Sequence, residues 1–145
     1  MTLRPATLDD SARLLAWRND PETRRNSLSP WAVSAVEHEV WLACQLRDST
    51  TCRLYIAEVA DAPVGTARID LWPDEVWCEV SITVAPERRG QGLGGQIMIA
   101  LREELARLGL KQVIAKVRGY NVPSLRMFLS AGFVPATHVI RLELQ

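Results

Sequence analysis

The spacing of apolar residues changes period along this chain, and each change marks an element. Residues 3–6 read as a short strand, and a helix follows to about residue 18, started by Thr7 with Asp9 and Asp10 in its first turn. Leu8, Ala12, Leu15 and Trp17 supply its apolar stripe, and Asn19-Asp20-Pro21 stops it. Residues 22–31, rich in Arg, Asn and Ser, predict an irregular surface segment. A second helix over about 32–46 is expected to face Val36, Val40, Leu42 and Leu46 inward. Residues 53–59 and 63–71 predict two strands of a hairpin joined by Ala60-Asp61-Ala62. Trp72-Pro73-Asp74-Glu75 turns the chain again, and 76–84 is their antiparallel continuation.

The period then becomes helical. Leu93, Ile97, Leu101, Leu105 and Leu108 recur at helix spacing and Gly109 ends the run. Residues 112–117 predict a strand, and Asn121 caps a helix that carries Pro123 in its first turn and stops at Gly132. Residues 133–134 and 139–142 close the sheet, with Pro135 marking an edge or a bend. Strands in series, then strands alternating with helices, predict an α/β fold in one domain spanning 1–145. Its sheet is central, mixed and mostly antiparallel, with helices on both faces.

Between the last strand of the first series and the long helix lie Gly90, Gly92, Gly94 and Gly95. Closely spaced glycines let backbone approach a ligand, and the free N–H groups of a helix start suit a phosphate, with Arg88 and Arg89 alongside. A Walker loop needs Lys-Ser or Lys-Thr after its last glycine, and here Gln96-Ile97 follows. A dinucleotide fingerprint is satisfied by Gly90, Gly92 and Gly95. It also needs an acidic residue about twenty positions on, and no Asp or Glu occurs between Glu104 and Glu143.

Composition narrows the partners. The chain has 145 residues, and 17 Lys and Arg balance 17 Asp and Glu, without a basic stripe, so nucleic acid is not an expected partner. The first residues lack a signal pattern and no apolar run approaches a membrane span, so a cytoplasmic, non-membrane protein is expected. Cys44, Cys52 and Cys78 are odd in number and far apart, which suits reduced core thiols. His38 and His138 show no metal-ligand spacing, and no metal site is expected.

The segment Arg89-Gly90-Gln91-Gly92-Leu93-Gly94 resembles the Arg/Gln-x-x-Gly-x-Gly/Ala loop of the GCN5-related N-acetyltransferases. The likeness extends upstream through Val84-x-Pro86-x-x-Arg89 and downstream to Asn121-x-x-Ser124 followed by Ala131-Gly132-Phe133. It implies the acyl-CoA N-acyltransferase fold and direct transfer of acetyl from acetyl-CoA, as co-substrate, to a primary amine. The cofactor-binding residues it implies are Arg89 to Gly95 (Leu93 included), Asn121, Ser124 and Phe128. Backbone groups of Ile82, Thr83 and Val84, on a bulged strand, would meet the pantetheine arm.

In the same resemblance Glu79 is the position of a catalytic base, against a plain ion pair with Arg68. The tyrosine that protonates the leaving sulfur is replaced by Phe128, which leaves solvent, Tyr120, Tyr55 or Ser124 for that step. Trp17-Arg18-Asn19-Asp20-Pro21, with His38, is similar to acetyltransferases of amino-sugar nucleotides on routes to pseudaminic-type acids. Arg18, Arg24 and Arg25 would meet a diphosphate, and Asn19, Asn26 and His38 sugar hydroxyls, while Trp17, Trp31 and Trp41 suit packing. The same Trp-Arg-Asn-Asp-Pro also resembles the enzymes that acetylate the amino termini of ribosomal proteins. A sensor that kept the loop and lost the chemistry is the alternative of another class, beside an NAD(P)-binding domain. Homodimers occur in the family, and residues 139–144 look like an open edge that would serve one.

Overall fold

The computed structural model describes residues 1–136 and 139–143; His138 and Leu144 lie outside the described residues. Seven strands form one sheet in the order β1 (Thr2–Pro5), β2 (Cys52–Val59), β3 (Ala62–Leu71), β4 (Trp77–Val84), β5 (Gln112–Ala115), β7 (Val139–Glu143), β6 (Val134–Ala136). Every neighbouring pair is antiparallel except β4 and β5. The predicted mixed sheet is present. Residues 139–143 are not its edge, because β7 pairs with β5 on one side and β6 on the other. The edge on that side is β6, where Pro135 lacks the N–H that an inner strand would need.

Two apolar layers hold the helices to the sheet. Tyr55, Ala57, Ala67, Ile69, Cys78, Val80, Val113 and Ala115 meet Leu93, Ile97, Met98, Leu101 and Leu105 of α4 (Leu93–Ala106) and Phe128 of α5 (Val122–Ser130). On the other face Leu54 and Ile56 meet Leu14 and Trp17 of α1 (Ser11–Asn19) and Leu42 of α3 (Ala35–Arg47). The stripe expected on α1 is displaced: Leu8 and Ala12 are exposed, and Leu14 takes the buried place. On α3, Val36 and Val40 are exposed while His38 and Leu42 are buried. At about 100° per residue, 36 and 40 lie on a different side of the helix from 42 and 46, so one face cannot bury all four, and the side of His38 and Leu42 is the one turned inward. Ser34 accepts from the Glu37 N–H at 3.2 Å, and Glu37 returns a bond from the Ser34 N–H at 3.0 Å, which starts the helix three residues later than apolar spacing alone implies.

Residues 22–31 are not wholly irregular. Asp20-Pro21 ends α1 but also starts α2 (Pro21–Asn26): Pro21 needs no donor partner in the first turn, and Asp20 accepts from the Thr23 N–H at 3.0 Å. The β2–β3 turn is two residues, Ala60 and Asp61, at φ 49° and 61°. Those left-handed angles match the twist of paired strands.

Candidate active site

Pairing between β4 and β5 stops at Glu79 and Ile114, while β4 runs on to Val84. The two strands part there. The Ala85 N–H bonds to the Val64 carbonyl on β3, whereas the Val76 carbonyl accepts from Lys111 and Gln112 on the β5 side. Backbone direction alternates along a strand, so the N–H and C=O of Ile82 and Val84 face the parted side, which no strand pairs beyond Glu79. The cleft so formed has a volume of about 770 Å³. The β3–β4 register runs without a shift from Gly65 opposite Val84 to Leu71 opposite Cys78, so the bulge expected in this strand is absent. Divergence of β5, not a bulge, frees these groups. The register shift of the hairpin lies in β2, between Ala57 and Glu58.

The glycine loop closes one end. Gly90 and Gly92 sit at φ 75° and 71°, conformations that favour glycine, and Gly92 is the residue before α4. The first intrahelical bond is Gln96 N–H to the Gly92 carbonyl at 3.4 Å, so Leu93, Gly94 and Gly95 open the helix with N–H groups free of it. A Cβ on Gly94 would lie 2.9 Å from Met127 Sδ, whereas Gly95 has open space. Asn121 Oδ1 caps α5 through the Ser124 N–H at 3.4 Å, and Phe128 packs edge-on to Phe133 with centroids 4.9 Å apart. This cradle of helix-start N–H groups without side chains fits a diphosphate, and the free edge of β4 fits an amide-containing arm.

Of the expected cofactor residues, Ile82, Thr83, Val84, Arg89, Gly90, Gly92, Leu93, Gly94, Gly95, Asn121, Ser124 and Phe128 line this cleft. Gln91 does not; it is exposed and its side chain accepts from Arg88 at 3.3 Å. The Arg89 guanidinium is committed to α2, at 2.7 Å from Asp20, 3.0 Å from Glu22 and 2.8 Å from Thr23 Oγ1.

The opposite wall comes from α1, α2 and the odd-numbered face of β4. Glu79 lines it with its side chain only 16 % exposed, and Oε2 lies 2.9 Å from Lys116 Nζ. The ion pair considered with Arg68 does not form, because Arg68 pairs with Asp70 at 2.9 Å. Arg18 and Asn26 also line this wall. Asn19, Arg24 and His38 do not. Asn19 is spent on the backbone of Val33, donating at 2.7 Å and accepting at 2.9 Å, and Arg24 donates to the Pro30 carbonyl at 3.0 Å. His38 is buried between α3 and α1, against Trp41, and burial lowers its pKa.

Tyr120 is not brought to the cleft. It is 61 % exposed and its hydroxyl donates to the Arg25 carbonyl at 2.7 Å, which removes it from the proton-transfer role. The buried Tyr55 points at Glu104 and also stays out of the cleft. Ser124 is therefore the one sequence candidate for that step whose residue lines the cleft. Cys44 is exposed, contrary to the expected core thiol, while Trp17 is buried and Trp31 is exposed.

Lys116, Met127 and Gly65 were not foreseen. Met127 stands one helical turn from Ser124 and Phe128 stands beside it, a periodicity that pointed to the cleft. Lys116 meets Glu79 only through the parallel β4–β5 register, which local sequence does not encode.

A glycine-lined diphosphate cradle, a strand edge left open by a parting neighbour, and a carboxylate on the far wall define a protein of the acyl-CoA-dependent acyltransferase class. Residues 1–134 match the acetyltransferase (GNAT) domain, and the chain belongs to that family. It is an N-acetyltransferase with acetyl-CoA as co-substrate. The structure is similar to a ribosomal-protein-alanine N-acetyltransferase from Brucella melitensis, at 25% identity and TM-score 0.80 over 99% of this chain and 100% of that one. It also resembles an aminoglycoside acetyltransferase in complex with coenzyme A, at 19% identity and TM-score 0.81 over 98% and 94% of the two chains. An N-acetyltransferase from Staphylococcus aureus Mu50 superposes at TM-score 0.83, with 19% identity and 99% and 98% coverage. No curated protein matches the chain by sequence.

Proposed function

We propose that this enzyme acetylates the primary amine of an amino-sugar nucleotide, with Glu79 as the base. The observation that carries the base assignment is the Glu79 carboxylate, lining the cleft where β4 and β5 part, on the face opposite α4. Acetyl-CoA supplies an activated acyl group. The N–H groups opening α4 hold its diphosphate end, and the backbone of Ile82 and Val84 aligns its amide arm. Fixing an amine against such a group contributes about 7–11 kcal/mol toward the barrier, so positioning is the first task of the cleft. An amine attacks only when neutral, and Glu79 takes its proton directly or through water. Lys116 orients that carboxylate and balances its charge in a half-buried place. Ser124 or water returns a proton at the sulfur side.

The arginine on the acceptor wall favours an acceptor with anionic oxygens, as a nucleotide diphosphate has. Peptide amino termini are the second acceptor class, supported by the likeness over the full length to the Brucella melitensis enzyme. Thiol release from acetyl-CoA, measured against amino-sugar nucleotides, aminoglycosides and alanine-ended peptides, separates these. Turnover confined to peptides overturns the sugar-nucleotide acceptor, and tight coenzyme A binding without turnover on any amine favours the sensor. Glu79→Gln is expected to lower kcat/KM by about 10²–10⁴ and to abolish the acid limb of its pH profile. An unchanged profile removes Glu79 as base.

A further inference from the structure

We propose that Arg89 is a positioning residue for the acceptor: its guanidinium ties α2 to the glycine loop, so that coenzyme A in the loop and order in the acceptor wall support one another. Arg89 stands next to Gly90, in the stretch whose resemblance implied a cofactor contact. Its side chain is bound elsewhere. Nη2 donates to Asp20 Oδ2 at 2.7 Å and to Thr23 Oγ1 at 2.8 Å, and Nη1 donates to Glu22 Oε2 at 3.0 Å. All three partners lie at the cap or in the first turn of α2, 66–69 positions away, and two of them are carboxylates that neutralise the guanidinium.

The short helix needs this tie. α2 has six residues and none of them is buried, so neither length nor a core side chain holds it in place. Tyr120 holds its last turn through the Arg25 carbonyl, and Arg89 holds its first. The Asp20 oxygen that receives Arg89 is the one that receives the Thr23 N–H at 3.0 Å, so the same contact steadies the cap. With the Arg89 and Asp20 side chains 29 % and 19 % exposed, this pair is better shielded than an ordinary surface pair. Glu22, Thr23 and Arg89 line the cleft together, and Asn26, Ser27 and Leu28 at the far end of α2 line it too. A diphosphate that fixes the loop therefore fixes Arg89, and through it the part of the acceptor wall that α2 supplies. Linkage makes the effect mutual.

The inference rests on acetyl transfer in this cleft, and its test keeps the two apart. Amide hydrogen exchange over residues 21–28, read by mass spectrometry, is expected to slow about threefold when coenzyme A saturates the protein. Arg89→Met and Asp20→Asn should each speed that exchange about fivefold and abolish its response to coenzyme A. Each should also weaken coenzyme A binding by the same factor of about three, with the double variant no worse than either. Exchange over β2 should match wild type, which certifies the fold. For the amine that thiol release identifies, Arg89→Met should raise KM about fivefold with kcat within about twofold. Opposite shifts, with Arg89→Met weakening coenzyme A about tenfold and Asp20→Asn tightening it by freeing the arginine, would make Arg89 a cofactor ligand and overturn the proposal. So would wild-type exchange in α2 that is indifferent to coenzyme A, or an amine KM unchanged in Arg89→Met. A protein that binds no coenzyme A, or turns over no amine, would instead overturn the acetyl-transfer assignment, and this proposal with it.

Discussion

Cys78 and Glu79 are neighbours on β4 that face opposite sides of the sheet, and that alternation decides which of them has access to the cleft. Cys78 goes into the α4 layer, where burial pushes its thiol up to about 12; Cys52, on the other face, is pushed up to about 11, chiefly by burial. Neither is a thiolate at neutral pH, so neither is a nucleophile. Under native conditions a thiol reagent is expected to label Cys44 fast and completely, with Cys52 and Cys78 reacting only on unfolding; mass spectrometry of labelled peptides checks this. Fast labelling of Cys78 would contradict its place in the core. The acceptor residues were only partly legible at this scale. A polar side chain has the same look in sequence whether it meets a ligand or satisfies a nearby carbonyl, and Asn19, Arg24 and Tyr120 each found backbone partners. Arg18 and Asn26 keep a place on the cleft wall.

At the scale of elements, the strands were legible because inside and outside alternate at period two and turn residues punctuate them. Helix faces were less so: one position is about 100° of rotation, so Val36 and Val40 cannot share a face with Leu42 and Leu46, and the fold buries the side of His38 and Leu42. Gly65 has an element-level role that its sequence context hides. It lies opposite Val84, and an added Cβ would overlap the Thr83 carbonyl oxygen and come within 3.0 Å of Ile97 Cδ1. Gly65→Ala therefore has to displace backbone. It is expected to cost about 1–3 kcal/mol in urea unfolding and to weaken coenzyme A binding by shifting the Val84 edge. Gly95→Ala, where the added carbon meets open space, should spare stability and serves as the control for the unfolding measurement alone, since Gly95 belongs to the diphosphate cradle.

Across the whole molecule, one charged cluster ties the N-terminal strand to the helical layer. Asp10, almost fully buried, receives both Arg4 nitrogens at 2.8 Å, Arg13 at 2.7 Å and the Thr7 N–H at 2.9 Å, while Arg4 also reaches Glu58 on β2 at 2.7 Å. The Arg4 bonds hold the Asp10 carboxyl near 2, below its usual 3.8. A depressed carboxyl stabilises the fold fully above its unfolded value and loses that contribution as pH falls from about 4 through 2. The loss is at most about 2 kcal/mol, since Arg4 is partly exposed and screened. Urea unfolding at pH 7 and pH 2 is expected to show this difference, reduced in Asp10→Asn; an equal drop in both proteins would place the acid sensitivity elsewhere. By itself the chain determined its strands, the glycine loop opening α4 and the Asn121 cap of α5, because each rests on residues within a few positions of one another. Only the folded molecule decided where β4 and β5 part, that Lys116 meets Glu79, and that Arg89 beside the glycine loop pairs with the start of α2. Those relations come from sheet order and register, which bring together residues that no local propensity connects.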